Sequence, residues 1–276
     1  TVEDNIDPTA LCADITIQLD AAGNASIIAG DIDNGSDDNC GFTLSASQTD
    51  FDCTDVGANT VTLTVTDDSG NTTTCDAIVT VEDNIAPIVT CAVDQTQTAD
   101  AGVCEAAVTV IAPTVSDNCG VATVVNDYNG TADASDTYPV GATTVEWTVT
   151  DDNGNITTCS QVITVTDDEL PGISCSADQT QTADALSCDA VVTVLGPATD
   201  DNCAVATVIN DYNGTADASD TYPVGTTTIT WTVEDIHGNT STCTQTITVT
   251  DDELPNAICQ DITVNLDPNT GTASIV

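Results

Sequence analysis

The stretch Thr228–Thr250, TITWTVEDIHGNTSTCTQTITVT, decides the fold. Over Thr228–Asp235 the residues alternate strictly, with Ile229, Trp231 and Val233 on one face and threonines on the other. That period of two is the signature of a half-buried strand. The turn IHGN follows, and Thr242–Thr250 alternates again with Cys243, Ile247 and Val249 on one face. The pair reads as a hairpin closed by a glycine-containing loop. Upstream lie further strand candidates at Ile173–Ala183, Ala190–Leu195 and Val205–Tyr212, separated by Gly, Pro and Asp clusters, and no segment shows helical periodicity. About seven short strands per unit of roughly 80 residues predict an immunoglobulin-like sandwich. The expected class is therefore all-β, with tandem sandwich domains and intradomain disulfides. The buried-Trp-plus-disulfide pattern of antibody domains is not expected, because Trp147 and Trp231 fall on the penultimate strand.

The hairpin is repeated along the chain. IHGN aligns with DNGN at Asp152–Asn155 and DSGN at Asp68–Asn71. A step of 84 residues carries Cys91, Cys104, Cys119 and Cys159 onto Cys175, Cys188, Cys203 and Cys243, and Cys175 onto Cys259. NDYNGTADASDTYPVG occurs at Asn126–Gly141 and again at Asn210–Gly225. The first unit is shorter, and its opening CADITIQLDAAGNASI resembles CQDITVNLDPNTGTASI near the end of the chain more than it resembles the middle units. Such periodicity marks a tandem repeat architecture. The expected division is 1–5 as the end of a preceding repeat, 6–84, 85–168 and 169–252 as three repeats, and 253–276 as the start of a fourth.

Composition narrows the partners. The chain has 276 residues, 45 Asp plus Glu, no Lys or Arg and one His, for a formal charge of −45. Nucleic acid and anionic membrane surfaces would repel it, whereas cations are favoured. With 40 % hydrophobic residues, mostly Val, Ile and Ala, the chain is too apolar for a disordered acidic tail. Aromatics at 3 % leave the cores thin. No apolar run is long enough to span a bilayer, so direct membrane insertion is not expected. Thirteen cysteines without zinc-finger spacing point to disulfides and an oxidising, extracellular setting. One His and no Lys or Arg leave only carboxylates and hydroxyls for acid–base work, and these recur unit by unit, so an enzyme is not expected.

The order P-x-x-x-C, D-N-C, V-G-x-x-T-V-x-x-x-x-x-D, G-N-x-x-T-C, beginning at Pro87 and Pro171, is similar to the hyalin repeat. The variant with CADITIQLD and DNGSDDNCG resembles repeats of giant surface adhesins of gliding bacteria. The resemblance covers essentially the whole chain. It implies an extracellular, cell-surface immunoglobulin-like module serving as a stalk or filament whose partners are the neighbouring repeats. Polysaccharide- or protein-binding modules and accessory domains of secreted enzymes are the alternatives. Tyr128, Tyr138, Tyr212 and Tyr222 are candidates for a polysaccharide surface, with sheet packing as the competing role.

Each complete unit has four cysteines, which allow three connectivities. Three positions are shared by all units: first strand (Cys12, Cys91, Cys175), D-N-C (Cys40, Cys119, Cys203) and last strand (Cys75, Cys159, Cys243). The fourth moves, from Cys53 to Cys104 and Cys188. First and last strands of such a sandwich commonly run side by side, which favours Cys12–Cys75, Cys91–Cys159 and Cys175–Cys243. The remaining expectation is Cys40–Cys53, Cys104–Cys119 and Cys188–Cys203.

Carboxylates gather where one unit meets the next. In a seven-strand sandwich, the end of the last strand approaches the D-N-C loop and the penultimate hairpin turn of the following unit. Asp83 and Asn84 should therefore face Asp117, Asn118 and Asp151. Asp167, Asp168 and Glu169 should face Asp201, Asn202 and Asp235, and Asp4 and Asn5 should face Asp38 and Asp67. The first Asp of each turn is the better ligand candidate, since its neighbour changes from Asp68 and Asp152 to Ile236. Carboxylates about 5 Å apart repel by roughly 3 kcal/mol per pair at an effective dielectric of about 20. Calcium suits such joints, taking carboxylate, Asn and backbone oxygens in forgiving geometry, whereas magnesium demands a tighter octahedron. The same residue types also make turns and Asx caps without any metal.

Overall fold

The computed structural model describes residues 4–275, so Thr1–Glu3 of the expected preceding strand lie outside the described residues. Two compact units are present, Thr1–Asp167 and Asp168–Val276. The first holds two sandwich repeats and the second holds one. Each repeat is built on a long antiparallel hairpin, Gly57–Asp67 with Thr72–Glu82, Gly141–Asp151 with Ile156–Thr166, and Gly225–Asp235 with Thr240–Thr250. A shorter strand runs parallel to the last strand: Gln95–Thr98 pairs with Ile163–Thr166, and Ile15–Gln18 with Val79–Glu82. On the other side of the hairpin lies the strand that follows D-N-C, Phe42–Ala46, Val121–Asn126 or Val205–Asn210. Smaller two-stranded sheets close the sandwich.

Some of those short strands are absent from the periodicity. Thr114–Ser116, Asp136–Pro139, Ala198–Asp200 and Asp220–Pro223 are only three or four residues long. Such lengths are too short to display an alternation. The expected Ile173–Ala183 strand divides in two. Gly172–Ser174 pairs with Ala198–Asp200, and Gln179–Thr182 pairs with the last strand, so the chain changes sheets at Cys175–Asp178. Residues 253–275 carry no strand, and Ile258 and Ile262 are exposed. Their counterpart Ile15–Gln18 needs the strand Thr72–Glu82 beside it, and nothing of that kind lies within 253–275.

The cores follow the alternation. Trp147, Val145 and Val149 are fully buried in the second repeat, as are Trp231, Ile229 and Val233 in the third and Leu63, Val61 and Val65 in the first. The hairpin register sets Trp147 opposite Cys159, Trp231 opposite Cys243 and Leu63 opposite Cys75. Directly opposed residues share a face, so a buried tryptophan lies beside the disulfide, on the penultimate strand as expected. It reaches that position from the neighbouring strand of the same sheet. Tyr138 and Tyr222 are also fully buried, each stacked on a partner, Tyr128 at 4.2 Å and Tyr212 at 4.3 Å between ring centroids. Burial pushes the Tyr138 and Tyr222 hydroxyls up to about 12. Their hydroxyls donate to Ala134 O and Ala218 O within the same turn. These rings pack the sheets, with Tyr128 and Tyr212 half-buried over Tyr138 and Tyr222.

The disulfides Cys12–Cys75, Cys91–Cys159 and Cys175–Cys243 tie first strand to last strand. The remaining expected pairs are corrected. Cys53 bonds Cys119, across the boundary between the first and second repeats, with a Cα–Cα distance of 5.3 Å. Cys40–Cys53 and Cys104–Cys119 therefore do not form. Cys188 is free and exposed, which also excludes Cys188–Cys203, while Cys104 and Cys203 are both disulfide-bonded. The physical reason is polarity along the sandwich. Cys53 and the D-N-C cysteine of its own repeat sit at opposite ends, so Cys53 meets the D-N-C cysteine of the next repeat.

Candidate metal centres at the repeat joints

The joint between the first and second repeats is assembled by three elements. The last strand Thr72–Glu82 delivers Asp83, the loop before Val121–Asn126 delivers Asp117 and Asn118, and the hairpin Gly141–Asp151 ends on Asp151. The pairing of Val121 with Asp151 brings the last two together. One carboxylate oxygen from each of Asp83, Asp117 and Asp151 lies within 4.8 Å of the others. Asp83 is 5 % exposed and Asp151 is 2 % exposed.

Hydrogen bonds fix each carboxylate. Asp83 Oδ1 accepts from the N–H of Ile85 and from Asn118 Nδ2, both at 3.1 Å, and its Oδ2 accepts from Asn153 Nδ2 at 2.9 Å. Asp117 Oδ2 accepts from the N–H groups of Cys119 and Gly120. Asp151 Oδ1 accepts from the N–H groups of Asn153 and Asn155, and its Oδ2 from Asn155 Nδ2 at 2.8 Å. The same Asn155 amide reaches Asp83 O at 3.0 Å, which links the two repeats. Burial pushes the Asp151 carboxyl up, but the Asn155 side chain and the N–H groups of Asn155, Asn153 and Gly154 together outweigh it and hold the group below its ordinary value.

Two acceptors at this joint stay unmatched. Asp117 Oδ1 and Asn118 Oδ1 are buried without a hydrogen-bond partner. A buried polar atom left unpaired costs about 1–3 kcal/mol, more when it is charged. The chain has no Lys or Arg to supply that partner.

The first joint repeats the pattern within the same unit. Oxygens of Asp4, Asp38 and Asp67 lie within 4.8 Å of one another, and Asp4 Oδ2 and Asp38 Oδ1 are buried without a partner. Asn71 Nδ2 donates to Asp67 Oδ2 at 2.7 Å and to Asp4 O at 3.2 Å, as Asn155 does at the next joint. In the second unit Asp235 is buried with its Oδ1 on the N–H groups of His237 and Asn239, and Asp201 Oδ1 is again buried without a partner.

Other candidates are not drawn in. Asn84 is exposed and donates to Gln18 Oε1 and Glu82 Oε2. Asn5, Asp168 and Glu169 are exposed, so of the triple carboxylate Asp167–Glu169 only Asp167 is buried. Sequence reasoning missed Asn71 and Asn155, although the Gly-Asn pair recurring in every hairpin turn was the available signal.

All-β sandwiches, a first-to-last-strand disulfide and a repeated acidic joint together define tandem immunoglobulin-like modules. The HYR domain model matches residues 82–165 and 166–249, more than half of the chain. The chain belongs to the HYR-domain family. Among curated proteins, Hyalin of Strongylocentrotus purpuratus is 31 % identical over 258 residues, covering 90 % of this chain and 21 % of that protein. Hyalin of Lytechinus variegatus is 31 % identical over 206 residues, covering 72 % of this chain and 38 % of that protein. The chain therefore spans well under half the length of these relatives. Solved structures similar to it include mouse Cadherin-23 EC22-24, with 12 % identity, a TM-score of 0.39 and coverage of 89 % of this chain and 99 % of that one. Protocadherin gammaB7 EC3-6, described as a cis-dimer, gives 13 % identity and a TM-score of 0.37 over 95 % of this chain and 77 % of that one.

Proposed function

We propose that this chain is a stretch of an extracellular adhesion-type repeat protein, a stalk in which calcium at the joints fixes each repeat against the next. The observation that carries the reading is the buried, unpartnered oxygen of Asp117 set beside Asp83 and Asp151 in a chain with no basic side chain. Oxygens within 4.8 Å of one another are close enough to share one calcium, whose ligand oxygens lie about 2.3–2.6 Å from the ion. Asp83, Asp117 and Asp151 would hold the ion, with Asn118 Oδ1 as the neutral donor. Asp4, Asp38 and Asp67 would do the same at the first joint. Extracellular placement is supported by the disulfides and by the Hyalin relatives. The partners are the neighbouring repeats of the same chain. A polysaccharide partner draws no support from the tyrosines, since Tyr138 and Tyr222 are buried.

Thermal unfolding in millimolar calcium and in chelator tests the reading. Calcium at a hundred times its dissociation constant should add about 2.7 kcal/mol per site, raising the midpoint. Asp117→Asn combined with Asp151→Asn should remove that gain at the second joint. An identical midpoint with and without calcium sinks the proposal.

A further inference from the structure

The Cys53–Cys119 bridge lies against the loop that carries the unmatched oxygens of the second joint. Cys119 directly follows Asp117 and Asn118, and its N–H donates to Asp117 Oδ2 at 2.9 Å. Cys53 Sγ is 3.4 Å from Asn118 O and 3.7 Å from Gly23 O, so the sulfur sits between that loop and a turn of the first repeat. Asn118 ties the contacts together. Its Nδ2 donates to Asp20 O at 3.4 Å and to Asp83 Oδ1 at 3.1 Å, both in the first repeat, while its Oδ1 is buried without a partner. Gly23 has a φ of +75°, and a Cβ there would stand 2.9 Å from Asn118 O and 2.7 Å from Cys53 Sγ. Only glycine admits so close an approach.

The covalent chain therefore crosses this joint twice, once through the peptide from Asp83 to Ile85 and once through the disulfide. A joint held by the peptide alone can turn about it, and its ligands must be gathered at an entropic cost each time an ion binds. A second crossing removes that freedom beforehand, so more of the interaction with the ion appears as affinity. We propose that bridge and ion are coupled: the Cys53–Cys119 disulfide holds Asp117 and Asn118 in place for calcium, and bound calcium protects the disulfide from reduction, which makes this joint a redox-sensitive calcium site. The coupling rests on the calcium reading above, and in it Cys53, Cys119 and Gly23 act as positioning residues. Such coupling is reciprocal, so calcium favours the disulfide by the same factor by which the disulfide favours calcium. The opposing reaction is reduction by a dithiol. One of its thiolates attacks a sulfur of the bridge, giving a mixed disulfide and releasing the other cysteine as a thiolate. The second thiolate of the dithiol then closes a ring and expels the remaining cysteine. Two electrons pass to the protein, its two thiolates take up two protons, and the dithiol becomes a cyclic disulfide.

The test equilibrates the whole chain in dithiothreitol redox buffers, in saturating calcium and in chelator. Alkylation, pepsin digestion (the chain has no Lys or Arg for trypsin) and mass spectrometry give the reduced fraction of each cysteine. Calcium should shift the Cys53–Cys119 equilibrium about tenfold toward the disulfide, within the usual range for coupled sites, or about 30 mV for a two-electron couple. It should shift Cys91–Cys159, inside the second repeat, several-fold less. Calorimetric titration with calcium supplies the reciprocal arm. Cys53→Ser with Cys119→Ser should weaken binding about tenfold in the step that Asp117→Asn with Asp151→Asn removes, and leave the other steps unchanged. The redox arm uses the unmutated chain, so it decides even where the serine variant folds poorly. Calcium that raises the melting midpoint yet leaves the bridge's reduction and the serine variant's affinity unchanged overturns the coupling and spares the calcium reading. An equal shift at Cys91–Cys159 also overturns the coupling, because protection would then be global. A midpoint indifferent to calcium overturns both.

Discussion

Asp151 and Asp152 are adjacent carboxylates with different fates. Asp151 ends a strand whose inward face it continues, so it is buried on three donors, while Asp152 points outward and is exposed. The comparison of turns DSGN, DNGN and IHGN made that choice legible, because only the first Asp persists. The role of Asn155 was not legible. An Asn after Gly reads as ordinary turn chemistry, and only the approach of the preceding repeat reveals Asp83 O within 3.0 Å of its amide. Asn155→Ala should lower stability by about 1–3 kcal/mol in denaturant unfolding, since it strips donors from two buried carboxylate-bearing residues. Asp152→Asn should change it by no more than about 0.5 kcal/mol.

Among the elements, the long hairpins were readable because eleven-residue strands display their alternation several times over. The short closing strands were not, as three or four residues fit any pattern. Trp147 fills the middle of the second repeat opposite Cys159, and Trp147→Ala should cost about 3–5 kcal/mol, measured as a fall in the denaturation midpoint of that repeat. The Cys53–Cys119 bridge spans 66 residues of sequence and is worth roughly 4 kcal/mol in the chain-entropy account. Cys53→Ser with Cys119→Ser should therefore lower stability. It should also separate one cooperative calorimetric transition for the first two repeats into two.

At the scale of the molecule, the charge of −45 sets a standing self-repulsion that protonation relieves. Working against it are carboxylates held low by their hydrogen bonds, Asp151 and Asp235 by their turns and Asp133 by Ser135. A depressed native value gives stability that is present above the ordinary carboxylate value of 3.8 and lost as the pH falls through the native one. In chelator, the melting midpoint should hold or rise from neutral pH toward 4 and then fall below 3.8. A midpoint that drops steadily from neutrality would contradict that balance. Small-angle scattering supplies the mechanical counterpart: calcium should lengthen and narrow the distance distribution relative to chelator if the joints lock.

Local pattern alone determined the β-class and the repeat step, because alternation and periodicity are written in neighbouring residues, whereas the first-to-last disulfides were favoured from the expected strand order. It also marked Asp83, Asp117 and Asp151 as belonging to one joint, since strand order dictates which loops share an end. Which cysteines cross between repeats, and which amides clamp the carboxylates, depended on tertiary structure. Cys53 and Cys119 are separated by 66 residues and Asn155 and Asp83 by 72, most of a repeat in each case. Only the packing of one sandwich end against the next brings such distant groups within bonding distance.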